Sequence, residues 1–142
     1  MATPNVAGSL VLLQQYYREV FGTFLRAATL KALVIHTASD LELPGPDYRS
    51  GWGLLNVEAA AEQLTSAAMN SSALLEETLL DGESYRREFS VDGEGPVRVT
   101  LAWTDHPGVR TGRTASALDD PTLQLQNDLD LRLVHLLSLI HI

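Results

Sequence analysis

The run Val6-Ala7-Gly8-Ser9-Leu10-Val11-Leu12-Leu13 constrains this chain more than any other stretch. It sits inside a helical pattern, because Val6, Leu10, Leu13, Tyr17 and Val20 recur at spacings of three and four. Pro4 suits a first turn, where its missing N–H has no intrahelical partner anyway. Thr3 before it is the expected N-cap, and Gly22 takes the usual C-terminal role, so a helix is predicted from Thr3 to about Phe21. Gln14, Gln15, Arg18 and Glu19 make its second half amphipathic, whereas the first half is apolar nearly all round. A helix apolar on every side is expected to be buried on every side. Gly8 costs that helix about 1 kcal/mol relative to Ala, and beside Ala7 and Ser9 it predicts another backbone packed close by. Nothing else in residues 1–65 reads as a sheet able to cover it.

Composition narrows the function classes. The formal charge of −8 argues against nucleic acid, which calls for a basic footprint. Residues 1–65 hold six acids against four Lys or Arg, and residues 66–142 hold twelve against six. The acidic excess in the second half therefore points to solvated surface or to cation binding. The absence of cysteine rules out disulfides and thiolate metal ligands. No apolar run reaches the roughly 18–20 residues of a membrane span, so no membrane partner is expected.

Past the first helix, Leu30, Leu33, Val34 and Thr37 form a stripe with Lys31 opposite, which predicts a second helix over Ala28–Thr37. Asp40–Tyr48, with Pro44-Gly45-Pro46-Asp47, reads as a loop. Asn56 is a good N-cap for a third helix carrying Glu58 in its first turn and Ala59, Ala60 and Leu64 on its apolar side. Ser66–Ser72 is small and polar, a linker. Period-two alternation then takes over: Tyr85, Phe89 and Val91 share one face, as do Val97, Val99, Leu101 and Trp103, and again Leu129, Leu131 and Leu133. One apolar face per strand predicts antiparallel sheets packed as a sandwich. Leu74–Leu80 is an ambiguous strand, Asp92–Pro96 a turn and Val109–Gln126 a long exposed loop.

Two stretches carry a family resemblance. Met1-Ala2-Thr3-Pro4-Asn5-Val6-Ala7-Gly8 resembles the segment that follows the nucleophilic serine in subtilisin-like serine proteases, with Asn5 where many members have His. The order helix, helix, Gly51-Trp52-Gly53-Leu54-Leu55-Asn56-Val57, helix looks like the close of such a domain. Downstream, Leu101-Ala102-Trp103-Thr104-Asp105-His106-Pro107-Gly108 and Asn127-Asp128-Leu129-Asp130-Leu131 resemble the jelly-roll-like β-sandwich that follows the catalytic domain in one subtilase branch. The resemblance implies the last helices of a doubly wound α/β peptidase domain over 1–65, then part of an antiparallel sandwich over 66–136, so that the whole looks α+β. It also implies a secreted, extracellular protein.

The chemistry implied is peptide-bond hydrolysis through an acyl-enzyme, which needs Ser, His, Asp and oxyanion donors. By the family's order Asp, His, Ser, the serine would directly precede Met1 and the other triad members would lie further upstream, so no catalytic residue is expected in this chain and no activity from it alone. Met1, Ala2, Thr3 and Pro4 would support the active site by seating the serine at a helix N-terminus. The partners implied are a protein or peptide substrate and the N-terminal part of the peptidase domain. Catalysis would require no cofactor.

No second constellation stands out. His36 reads as a helix residue without a catalytic role, and Asp105-His106 as neighbours at the Pro107-Gly108 turn that face apart. His135 lies on a predicted strand. Ser9, Ser50 and Ser90 have no nucleophile-elbow pattern. Asp119, Asp120, Asn127, Asp128 and Asp130 form a calcium candidate, since hard cations want several oxygens, although the run lacks the glycine at the sixth position of an EF-hand loop. The alternative for Asp128 and Asp130 is a solvated face salt-bridged to Arg132. Asp105 and Asn127 are also candidates for tying a long loop back through backbone hydrogen bonds. Trp52 and Trp103 read as core. The last six residues, Leu137–Ile142, are what the codons CTG TCT CTT ATA CAC ATC encode, a transposon end used in sequencing adapters; 137–142 is therefore expected to be read-through and is left out of the fold. A different class of function stays open beside the protease: a non-catalytic binding or structural β-sandwich module, which would need the first helix to find its partner within this chain.

Overall fold

The computed structural model describes residues 2–41, 44–91, 93, 95–108 and 122–134. Among the described residues three helices carry the regular structure: α1 (Ala2–Phe21), α2 (Ala27–Thr37) and α3 (Val57–Met69). Their ends follow local chemistry. Gly22 sits at φ 74° and donates its N–H to the Arg18 carbonyl at 2.9 Å, the left-handed close of α1. The Asn56 side chain accepts the Ala59 N–H at 2.9 Å and starts α3. Thr3, by contrast, falls inside α1 and is not its N-cap. Helix α3 runs on to Met69, through residues 66–69 of the expected linker, because Ala67 is buried and the small residues there are helix-compatible.

The chain divides into two compact units, 1–102 and 103–142. In the first, α3 packs against both α1 and α2. Leu13, Tyr17, Leu25, Leu33, Ala60 and Leu64 form the core, with Tyr16, Phe21, Leu30, Val34 and Leu74 packed around it. Ala60 and Leu64, one helical turn apart, are fully buried, so α3 supplies the centre of that core. Tyr17 and Phe21 stack with centroids 4.3 Å apart. Polar ties reinforce the packing. Gln14 donates to the Leu25 carbonyl and accepts the Leu25 N–H, each at 3.0 Å, while Tyr16 and Thr65 share a hydroxyl bond of 2.7 Å between α1 and α3.

The fold class corrects the sequence reading. Among the described residues there is no strand, only the isolated bridges Ser39–Leu54 and Asp47–Gly51. The expected α/β fragment followed by an antiparallel sandwich, α+β overall, is therefore replaced, among the described residues, by three helices followed by backbone without regular secondary structure. Alternation specifies which side chains would share a face, but a strand also needs a paired neighbour and its face needs a cover. Neither is supplied: Tyr85, Phe89, Val91, Val97, Val99, Leu101, Leu131 and Leu133 stand between 40% and 52% exposed. Trp52, expected in the core, is 52% exposed as well.

Among the described residues nothing covers the apolar first half of α1 either. Val6, Val11 and Leu12 are 37%, 67% and 63% exposed, and nothing lies within 4 Å of where a Gly8 Cβ would stand. The second half does find a partner, since Leu13 and Tyr17 are buried against the other helices.

Candidate functional site

Of the residues expected to support the active site, Ala2, Thr3 and Pro4 stand in the first turn of α1. Ala2, Thr3 and Pro4 are helical and exposed, whereas Met1 lies outside the described residues. The N–H groups of a first turn have no intrahelical acceptor, and α1 carries no acidic residue there to neutralise its dipole. The partial positive charge at this end of the helix is therefore not offset by an acid within its own first turn. Beside the same helix, Leu10, Val11, Gln14, Arg18, Phe24 and Leu30 line a trough of about 450 Å³. Its lining holds no carboxylate, histidine or hydroxyl and so no acid–base pair.

The loop preceding α3 is rigidly built. Asp47 Oδ1 accepts from the N–H groups of Arg49 at 2.6 Å and Ser50 at 2.8 Å, and Oδ2 accepts the Ser50 hydroxyl at 2.6 Å. The bonds from Ser50, then that from the Arg49 N–H, hold the Asp47 carboxyl below its ordinary range. Gly53, at φ 101°, lets its backbone close on Ser39, and Leu54 then exchanges N–H and C=O bonds with Ser39, both 2.9 Å. A Cβ at position 53 would meet the Ser39 oxygen at 2.3 Å. The glycine of the Gly-Trp-Gly turn is thus needed for both conformation and space.

Residues 1–53 match the subtilase family. That stretch runs from α1 through α2 to Gly53, where the chain closes on Ser39. The chain is also similar to the serine protease/ABC transporter B family protein tagA of Dictyostelium discoideum, 30% identical over 150 residues. The aligned region takes in 94% of this chain and 8% of that protein, so the chain spans about 8% of its relative's length. No solved structure matches. The subtilase-matched segment contains both α1 and the Gly-Trp-Gly residues 51–53.

Asp119 and Asp120 lie outside the described residues, as do His135 and 137–142. Asp130 pairs with Arg132 at 3.4 Å on an exposed surface, and Asn127 is held by Asp105. No group of three or more His, Cys, Asp or Glu comes together among the described residues. Asp105 behaves as a loop tie: it accepts the N–H groups of His106 and Gln126, both at 2.8 Å, besides two bonds from Asn127. Desolvation acts to raise its pKa, but the bonds from Gln126, Asn127 and His106 outweigh it and hold the carboxyl below the usual range.

His36 Nδ1 lies 2.9 Å from the Thr100 hydroxyl, and Arg98 donates to its carbonyl at 3.1 Å. Burial lowers its pKa, and the Arg98 charge adds to the effect.

One carboxylate escaped sequence reading. Glu76 accepts from the Arg26 N–H at 3.1 Å and from the Thr29 hydroxyl, and pairs with the Arg26 guanidinium at 3.3 Å. Arg26 is the N-cap of α2 and makes no side-chain cap of its own, so Glu76 caps the helix from fifty residues away. Burial, then the Glu76 charge, raises the Tyr17 pKa. No local pattern announces such a cap.

Proposed function

We propose that this chain is part of a subtilisin-like serine endopeptidase, exported from the cell, in which α1 carries the nucleophile at its N-terminus. The observation that supports this reading is the subtilase match over residues 1–53, which starts at the motif Met1–Gly8 and runs through the helix whose first turn holds no acid. In the parent enzyme the serine precedes Met1, and its Oγ attacks the peptide carbonyl to give an acyl-enzyme while the histidine takes its proton. Ala2, Thr3 and Pro4 position that serine. The α1 dipole favours the negative charge that forms on the carbonyl oxygen.

The exposed first half of α1, with Val6, Val11 and Leu12 pointing to different sides, is the part of the helix that the remainder of the peptidase domain surrounds in this reading. The substrate is a protein or peptide, and the triad is completed by upstream sequence. Catalysis calls for no cofactor in this reading.

Labelling with a fluorophosphonate, which reacts with activated serine, tests the proposal. The 142 residues alone are expected to stay unlabelled and to leave casein intact, whereas the same residues joined to their own upstream sequence are labelled and active. Labelling of the isolated chain, or an upstream transcript that lacks Gly-Thr-Ser before Met1, would overturn it.

A further inference from the structure

Asn70-Ser71-Ser72 follows α3 directly, and it is the one place in the chain where an asparagine is followed two residues later by Ser or Thr with no proline between. That triplet is the acceptor pattern for asparagine-linked glycosylation, which needs a surface position in an exported protein. The other three asparagines, Asn5, Asn56 and Asn127, lack the hydroxyl.

The local structure suits an acceptor. Asn70 is the C-cap of α3, with φ −132° and ψ 100°, so its backbone has already left the helix for an extended conformation. Its N–H is satisfied by the Ser66 carbonyl at 2.8 Å, and its own carbonyl accepts the Ala73 N–H at 3.0 Å. The side-chain Oδ1 accepts the Ser72 N–H at 3.0 Å, an Asx-turn that brings residue 72 back toward the amide. Nδ2 makes no hydrogen bond among the described residues. Asn70, Ser71 and Ser72 are all exposed, and Met69 beside them is 88% exposed, so a bulky polar group meets open solvent and displaces no packing. The Ser72 hydroxyl accepts from Arg87 at 2.9 Å, but Arg87 lies fifteen residues downstream and follows the triplet during synthesis.

We propose that Asn70 is the acceptor of one N-linked glycan. The inference rests on the export reading above. Nδ2 attacks the anomeric carbon of an oligosaccharide carried on a lipid pyrophosphate. The new bond is C–N, the bond broken is that from the anomeric carbon to the pyrophosphate oxygen, the lipid pyrophosphate leaves with the electron pair, and the amide nitrogen gives up one proton to a base of the transferase. Ser72 supplies the hydroxyl that the transferase reads. The glycan then covers the surface around Met69 at the end of α3.

The test is to express the full chain behind a cleavable export leader in a eukaryotic cell and to weigh the lumenal and secreted protein before and after peptide N-glycosidase. One glycan is expected, removed by the glycosidase with conversion of Asn70 to aspartate in the peptide mass. Asn70→Gln and Ser72→Ala lose it, and Ser72→Thr keeps it. An unmodified Asn70 in lumenal protein, or a glycan that persists in Asn70→Gln, overturns the site. Because the leader is supplied, either result bears on Asn70 itself, whereas retention of the native protein inside its own cell bears on the export reading.

Discussion

Asp105 holds Asn127 twice: one carboxylate oxygen accepts the Asn127 side-chain amide at 2.6 Å and the other its backbone N–H at 3.2 Å. With the Gln126 N–H on the second oxygen as well, one side chain fixes both ends of the stretch between residues 105 and 126. Asp105→Ala is expected to raise the amide exchange rates of Gln126 and Asn127 severalfold and to leave those of α3 unchanged. The pH dependence follows the depressed pKa: the tie is complete above the unfolded carboxylate value of about 3.9 and is lost as pH falls through the lower folded value. Amide exchange followed by NMR checks both.

Gly53 and Gly51 separate two costs of a side chain. Gly51, at φ 61°, has open space around it, so Gly51→Ala incurs only the left-handed conformation, about 1–2 kcal/mol. Gly53→Ala adds a backbone collision with the Ser39 oxygen and is expected to lower the melting temperature further and to break the Ser39–Leu54 bridge. Thermal unfolding of the two variants, compared side by side, reads the difference.

His36 makes the helical unit sensitive to mild acid. Its folded pKa is lowered, so the unfolded state binds the proton first and stability increases with pH across that window. The contribution is fully present above the unfolded value of about 6.5 and is lost as pH falls from there toward the lower folded value. Urea titrations at either side of this window should show the drop, and His36→Gln should flatten it.

Glu76 is expected to matter more than its place in an irregular segment implies. Glu76→Ala removes the acceptor for the Arg26 N–H and the Thr29 hydroxyl, where Thr29 is itself buried, and should cost about 1–2 kcal/mol, the size of a lost helix cap. Glu76→Gln keeps an acceptor but not the charge, so the Tyr17 pKa should fall part of the way and remain above normal because burial, its larger cause, persists. Denaturant midpoints and a spectroscopic titration of tyrosine measure the two effects.

What could be read from the sequence was local. Gly22 as a helix stop, Asn56 as a cap, the Leu33 and Leu64 faces and the Asp105–Asn127 tie each depend on a few neighbouring residues or on one short polar side chain. The Met1–Gly8 motif and the Gly-Trp-Gly turn carried the family resemblance for the same reason, since each is contiguous.

What the sequence could not decide required knowing which segments meet. The Val97–Trp103 alternation predicts a strand, yet alternation is a property of one segment and pairing a property of two, and among the described residues no second segment pairs with it. Glu76 became the cap of α2, and Gln14 the partner of both backbone groups of Leu25, only once the chain had returned on itself. By its own residues the sequence determined the three helices and the motif at the head of α1. The tertiary structure alone decided that Leu13 and Tyr17 of α1 are buried in the helical core while Val11 and Leu12 stand exposed, because burial depends on the neighbours a surface meets as well as on the surface itself.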